Sequence, residues 1–428
     1  MNLMYRVIAG LGLGILTTGI PTFVLSQPSS IVAQVDAEDF YEDGIEQLEE
    51  GAYENAIAHF DQAIRLDPTY AGAYLYRGVA WAALGDDETA IADYNQAIQH
   101  VPAYADAYFY RGVAYANLGN DQRALADFNQ AIQLDPENAE AYVQRASVLV
   151  ALGDRQGARV DLNQAIDLDS KNAAAYRDRC SLNFSLGNRQ AALKDCNQAI
   201  DLDPTSAVAH YNRGFVYASL GSAQAALVDF NQAIQLKPDY AEAYLSRGLM
   251  RSTFGDLEGG IADLNQAIEL NPDYTEAYKV RGDLRLQAGS PERAIEDYTQ
   301  AIELNPNYAE AYKGRADAEW AIGDLAGADL DYSAAIELEP NYLSAWSGRG
   351  SVRANLGNTQ GAIDDFTQVI QTNPQDADAY YNRGQLHLSE GDRASAMQDF
   401  RAAADLYLQQ NQTDDYRSVM QAMQELQY

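Results

Sequence analysis

The chain is poor in positive charge. It sets 29 lysines and arginines against 62 aspartates and glutamates, a net charge of −33 over 428 residues. A surface of that sign repels nucleic acid and anionic lipid, so neither is expected as a ligand, and an unguided contact would favour a basic partner. Histidine is scarce as well. His59, His100, His210 and His387 lie far apart, with no pair at metal-binding spacing on one helix, so no metal is expected. The chain has no phosphate-binding glycine loop, no nucleophile elbow and no zinc-protease motif, which leaves neither a cofactor nor a reaction to expect. Long apolar runs are missing except near the start.

What is present is a period. Pro68, Pro102, Pro136, Pro204, Pro238, Pro272, Pro306, Pro340 and Pro374 recur in steps of 34 or twice 34 residues, with Ser170 in the one gap. A fixed step of that length marks one supersecondary unit stacked many times, and the default role of such an array is a binding surface. Laid out from Ala37, eleven repeats begin at residues 37, 71, 105, 139, 173, 207, 241, 275, 309, 343 and 377 without an insertion. Each carries two helical apolar patterns: in the second repeat, Tyr74, Gly78 and Trp81, then Ala90, Tyr94 and Ala97. A glycine from Gly51 to Gly391 closes the first helix of every repeat through a left-handed turn. The next residue is of an N-cap type in ten of the eleven, as at Asp86, Asn120, Asp154, Ser222 and Asn358. The proline then ends the second helix.

Small residues recur where paired helices should touch, such as Gly78 with Ala90 and Ala97, and aromatics such as Tyr108 and Phe128 recur between them. The sequence here resembles the tetratricopeptide repeat family. That family's order of aromatic, glycine, aromatic, alanine, aromatic, alanine and proline is matched by Tyr74, Gly78, Trp81, Ala90, Tyr94, Ala97 and Pro102. The resemblance covers residues 37–410. It implies an all-α fold, a right-handed superhelical solenoid of about eleven antiparallel helix pairs whose concave face is lined mainly by first helices. Local departures are Ser170, Cys196, Gly260 and Glu319.

One departure is periodic. Where the family favours leucine, this chain has Arg77, Arg111, Arg145, Arg179, Arg213, Arg247, Arg281, Arg315, Arg349 and Arg383, each followed sixteen residues later by an aspartate, from Asp93 to Asp399. The first repeat has Asp43 and His59 instead, so the pair is present or absent together. A bidentate bridge within each repeat is expected, serving the scaffold rather than a ligand.

The ends differ. Residues 1–36 hold one basic residue, Arg6, then an apolar stretch from Val7 to Leu25, and read as a signal peptide with a short linker. The rival is an uncleaved membrane anchor, the chain's only expected contact with a membrane. The protein is therefore expected to be exported, to a periplasm, a lumen or the exterior. Residues 411–428 break the period but keep Tyr416, Val419, Met420, Met423 and Leu426 at helical spacing, as a capping helix would. Two cysteines, Cys180 and Cys196, share one repeat. In an exported protein a disulfide between them is reasonable. The other reading is a buried, reduced pair, because helices joined at Gly187 are expected to set them about one turn out of opposition.

Positions that the repeat does not claim for packing should carry function. On the concave side these are Leu75, Tyr76, Val79, Phe109, Tyr110, Val113, Val143, Phe184, Tyr211, Phe215, Leu245 and Leu249, an apolar stripe suited to a helix or extended segment of another protein. From the eighth repeat the same positions turn polar, as Lys279 and Asp283, Lys313 and Asp317, Ser347 and Ser351. The basic, asparagine-rich set with which some family members grip chaperone tails is missing. The expectation is a non-catalytic scaffold or adaptor that holds an apolar or basic segment of a partner in envelope or membrane-complex assembly. The alternatives are a spacer or self-associating scaffold using its outer face, and a recruiting arm for an enzyme on another chain.

Overall fold

The computed structural model describes residues 36–426. Among them are 23 helices, from Ala37–Glu49 to Thr413–Glu425, and no strand. The apolar stretch read as a leader or anchor lies outside the described residues. No described helix is long and apolar enough to cross a membrane. The chain divides into two compact units, Met1–Gly221 and Ser222–Tyr428.

Within each unit helices pair in sequence order. In the second repeat a 13-residue helix, Ala71–Ala83, is followed by a 14-residue helix, Asp87–His100. The turn between paired helices is made by glycine in all eleven repeats, with φ between 73° and 88°. An added Cβ at these glycines would touch nothing, so the left-handed backbone rather than space selects glycine there. In the first ten repeats the second helix stops two residues before the periodic position, with Asp67, for example, extended at φ −130° ahead of Pro68, whereas the last second helix continues to Gln409.

Capping is less uniform than the sequence suggests. Asp86, Asp154, Asp256, Asp324, Asn358 and Asp392 accept a backbone N–H at the start of the second helix, whereas Asn120, Asn188, Ser222 and Ser290 do not. Aspartate dominates the first group because its charge strengthens the bond and suits the positive helix end. Asn138, Asn172, Ser206 and Asp376 cap first helices, which the sequence reading missed.

The core repeats one contact. A glycine on the first helix leaves room for a ring on the second: an added Cβ at Gly78 would lie 2.6 Å from the Tyr94 ring, and at Gly112 or Gly384 2.8 Å from Phe128 or Phe400. Those three rings are fully buried. In the fifth repeat the same two positions are Cys180 and Cys196, which form a disulfide with a Cα–Cα distance of 5.3 Å. They are opposed, not one turn apart, because they inherit the ring-on-glycine contact. The reduced pair is thereby corrected. At the C-terminal end Val419, Ala422 and Leu426 pack against Phe400, Ala403 and Tyr407 and cover the last pair.

Candidate partner-binding surface

The periodic arginines build the scaffold. In Arg111 the Nε and Nη2 groups donate to the two oxygens of Asp127 at 2.7 Å each, and Arg145 donates to Asp161 at 2.7 and 2.6 Å. The same fork joins Arg77 to Asp93, Arg179 to Asp195, Arg247 to Asp263, Arg281 to Asp297, Arg315 to Asp331, Arg349 to Asp365 and Arg383 to Asp399. Arg213 and Asp229 belong to different units. In the first repeat the polarity is reversed, with His59 Nδ1 3.6 Å from Asp43.

Sequence reading missed a third bond. Arginine Nη1 reaches the preceding repeat sixteen residues back: Arg145 donates to Asn129 at 2.8 Å, Arg179 to Asn163 at 2.9 Å and Arg281 to Asn265 at 2.7 Å. Thr299, Ser333 and Thr367 take this role for Arg315, Arg349 and Arg383. The leading aromatic is a shelf under the guanidinium, with Tyr142 5.4 Å from Arg145 and Trp346 4.7 Å from Arg349. Burial pushes the Asp93 and Asp297 carboxyls up against the pull of their arginines, while the hydrogen bonds that Arg111 and Arg145 donate to aspartate push those two guanidinium groups up. Desolvation therefore cancels much of the attraction, and the bridges fix geometry more than they add stability.

The predicted stripe is largely core. Leu75, Val79, Phe109, Tyr110, Val113, Val143 and Leu245 are buried. Their own repeats and neighbours cover them, and apart from Val143, which lines a cleft between repeats four and five, they do not present a face for a partner to grip. Tyr76, Phe184, Tyr211 and Leu249 are half-buried, and Phe215 is 37% exposed. Phe215 meets the Tyr211 ring edge-on at 4.9 Å and the Phe184 ring at 6.5 Å. These three aromatics form an accessible cluster of the stripe in the first unit, where Tyr76 is also half-buried.

A cleft of about 710 Å³ opens between the first helices of repeats four and five, Ala139–Ala151 and Ala173–Ser185. It exists because bulk is missing. Ser147 and Ser181 stand where earlier repeats have Val79 and Val113, and Leu162 stands where they have a ring. Its floor is Val143, Ala146, Leu162 and Leu182, its apolar wall is Val150 at 44% exposure, and its rim carries Arg155, Lys171 and Arg177. Serines carry no apolar signal, which hid this site from a reading based on hydrophobic stripes.

The polar zone of the second unit is internally satisfied. Lys279 bonds Asp283 at 2.8 Å, whose other oxygen accepts from Tyr298 at 2.8 Å; Lys313, Asp317 and Tyr332 repeat the arrangement at 2.5 Å for both bonds. Ser351 donates to the Ser347 carbonyl at 3.0 Å. These paired lysines and aspartates line a shallow 470 Å³ depression together with Glu310. Among the described residues no cluster of His, Cys, Asp and Glu could hold a metal.

Comparison with known proteins agrees with the geometry. The description "Tetratricopeptide repeat" matches residues 105–138, 139–172, 207–240, 241–274 and 279–411, and "TPR repeat" matches 46–119 and 181–221. A search of curated proteins finds no match. Among solved structures, the Cut9 and Hcn1 hetero-tetramer of APC/C is similar at 13% identity and a TM-score of 0.49, over 90% of this chain and 97% of that one. Yeast Tom70 is similar at 16% and 0.40, over 91% and 95%. YrrB, a TPR protein with an unusual peptide-binding site, is similar at 26% and 0.36, over 43% and 95%.

Proposed function

The chain belongs to the tetratricopeptide repeat family, and we propose that it is an exported adaptor that holds a segment of a partner protein on the first-helix face of its first unit. The family's members are in general scaffolds for protein contacts rather than catalysts. The observation that carries the reading is the cleft at repeats four and five, an apolar floor of 710 Å³ left open by Ser147 and Ser181. The aromatic group of Phe184, Tyr211 and Phe215 extends the surface, offering large rigid contacts of the kind that dominate binding energy. Export rests on the apolar segment near the start, and assembly of an envelope or membrane complex is the setting proposed for the partner.

A photoreactive residue at Ser181, which is exposed, tests the reading in native cells. Crosslinks to one other protein support the adaptor. Self-crosslinks alone move the function to the spacer or self-associating scaffold.

A further inference from the structure

The cleft carries a charge pattern opposed to the rest of the chain. Arg155 and Lys171 both line it, and neither is in an ion pair with any described carboxylate. Arg159, Arg189 and Lys194, from the same two repeats, are also without ion pairs. The remaining cations of these repeats are committed: Arg145 and Arg179 hold Asp161 and Asp195, and Arg177, on the rim itself, holds Asp178. Of the two acids of the cleft, Asp178 is held by Arg177 at 2.7 and 2.8 Å, whereas Glu140 accepts from the neutral Gln144 at 2.6 Å and keeps its charge, so the cations of the lining still outnumber its acids. Two uncommitted cations therefore stand at the rim of an apolar floor, on a chain whose net charge is −33.

Resting on the groove reading above, we propose that this cleft takes an extended protein segment in which aliphatic side chains are flanked by carboxylates. The aliphatic groups seat against Val143, Val150 and Leu182, and the carboxylates face Arg155 and Lys171. Ser147 and Ser181 line the cleft as short hydroxyls able to bond a peptide backbone, whereas the Ser185 hydroxyl already donates to the Leu182 carbonyl at 2.8 Å. The acidic remainder of the chain sharpens the choice, because it repels such a segment everywhere else, whereas a basic segment would spread over the whole surface. The partner chemistry is thus the reverse of what net charge alone suggests.

Fluorescence anisotropy on the full chain tests this with three fluorescein-labelled hexapeptides: Glu-Asp-Leu-Ile-Glu-Asp, Lys-Arg-Leu-Ile-Lys-Arg and Glu-Asp-Ser-Ser-Glu-Asp. The first is expected to bind most tightly and to weaken as salt is added. Arg155→Glu with Lys171→Glu should weaken it about tenfold, and Ser181→Trp, which fills the cleft, should abolish binding. All three positions are exposed, and unchanged helicity by circular dichroism confirms that the variants fold. Tighter binding of the basic peptide, blocked by Ser181→Trp, overturns the charge preference and leaves the groove reading standing. Binding of no peptide, or binding indifferent to Ser181→Trp, overturns both.

Discussion

Among the described residues, His59, Tyr94 and Glu319 each bury a polar side-chain atom that makes no hydrogen bond. The Tyr94 hydroxyl is fully buried without a hydrogen-bond partner, whereas Tyr298 and Tyr332, at the same repeat position, donate to Asp283 and Asp317. The difference is one residue on the first helix, where the second repeat has Val79 in place of aspartate. Tyr94→Phe should therefore raise stability by about 1 kcal/mol, read as a higher urea midpoint, while Tyr298→Phe should lower it by a similar amount. Equal shifts of the same sign would contradict this. Glu319 stands where other repeats place a donor to the bridge aspartate, such as Arg251, Arg285 and Arg353. Burial first, and then the Asp331 charge, push its carboxyl up to about 7, against the pull of Arg315. The folded state then holds a proton that the unfolded chain releases near its ordinary value of 4.5. Stability falls as pH rises from there to about 7 and levels off above it, since the native state binds more protons across that interval. Glu319→Gln should flatten this part of a melting-temperature profile; an unchanged slope would assign it to another group.

At the scale of the helix pair, the bridge gives unequal costs. Arg145→Leu leaves Asp161, 4% exposed, with no cation and should cost about 3–5 kcal/mol. Arg247→Leu should cost less, roughly 1–2 kcal/mol, because Arg251 still donates to Asp263 at 2.9 Å. Urea unfolding of the two variants side by side checks this, and equal losses would remove Arg251 as a second partner. The fifth pair carries its own staple. Its disulfide closes a 16-residue step, so Cys180→Ala with Cys196→Ala should cost about 3 kcal/mol, read as a lower urea midpoint. The helices, their turns and the bridge were legible in the sequence because glycine, proline and the Arg/Asp pair each answer to one backbone or charge demand at a fixed spacing. The Asn129 type of contact was equally periodic but carries no charge to flag it. The binding surface was read less well. Helical spacing gave the face on which Leu75, Phe109 and Tyr110 lie, but not how deeply neighbouring helices cover them. The cleft was invisible because it is made by small side chains, and a missing volume has no pattern of its own.

Over the whole molecule, the array behaves as a sum of like parts, with each repeat bonded to the one before it. Excising residues 105–138 removes one repeat and brings Arg145 to Asn95 at the spacing it now keeps from Asn129. The shortened chain should stay helical and unfold cooperatively, with ellipticity reduced in proportion to length. Excising residues 105–124 instead breaks the step and should give a partly unfolded product. Comparable folding of both would show that the arginine contacts do not set the repeat junction.

The reach of nine of the ten periodic arginines sixteen residues in both directions makes the array almost translationally symmetric. A slip by one whole repeat, or an exchange of repeats between two chains, satisfies nearly every fork and shelf as well as the native register does. The irregular positions therefore serve as addresses. Only one repeat can close a disulfide, only one sets a glutamate against its bridge, and only one begins with the aspartate and histidine reversed. Departures that look like flaws in a periodic sequence are what let a folding chain count.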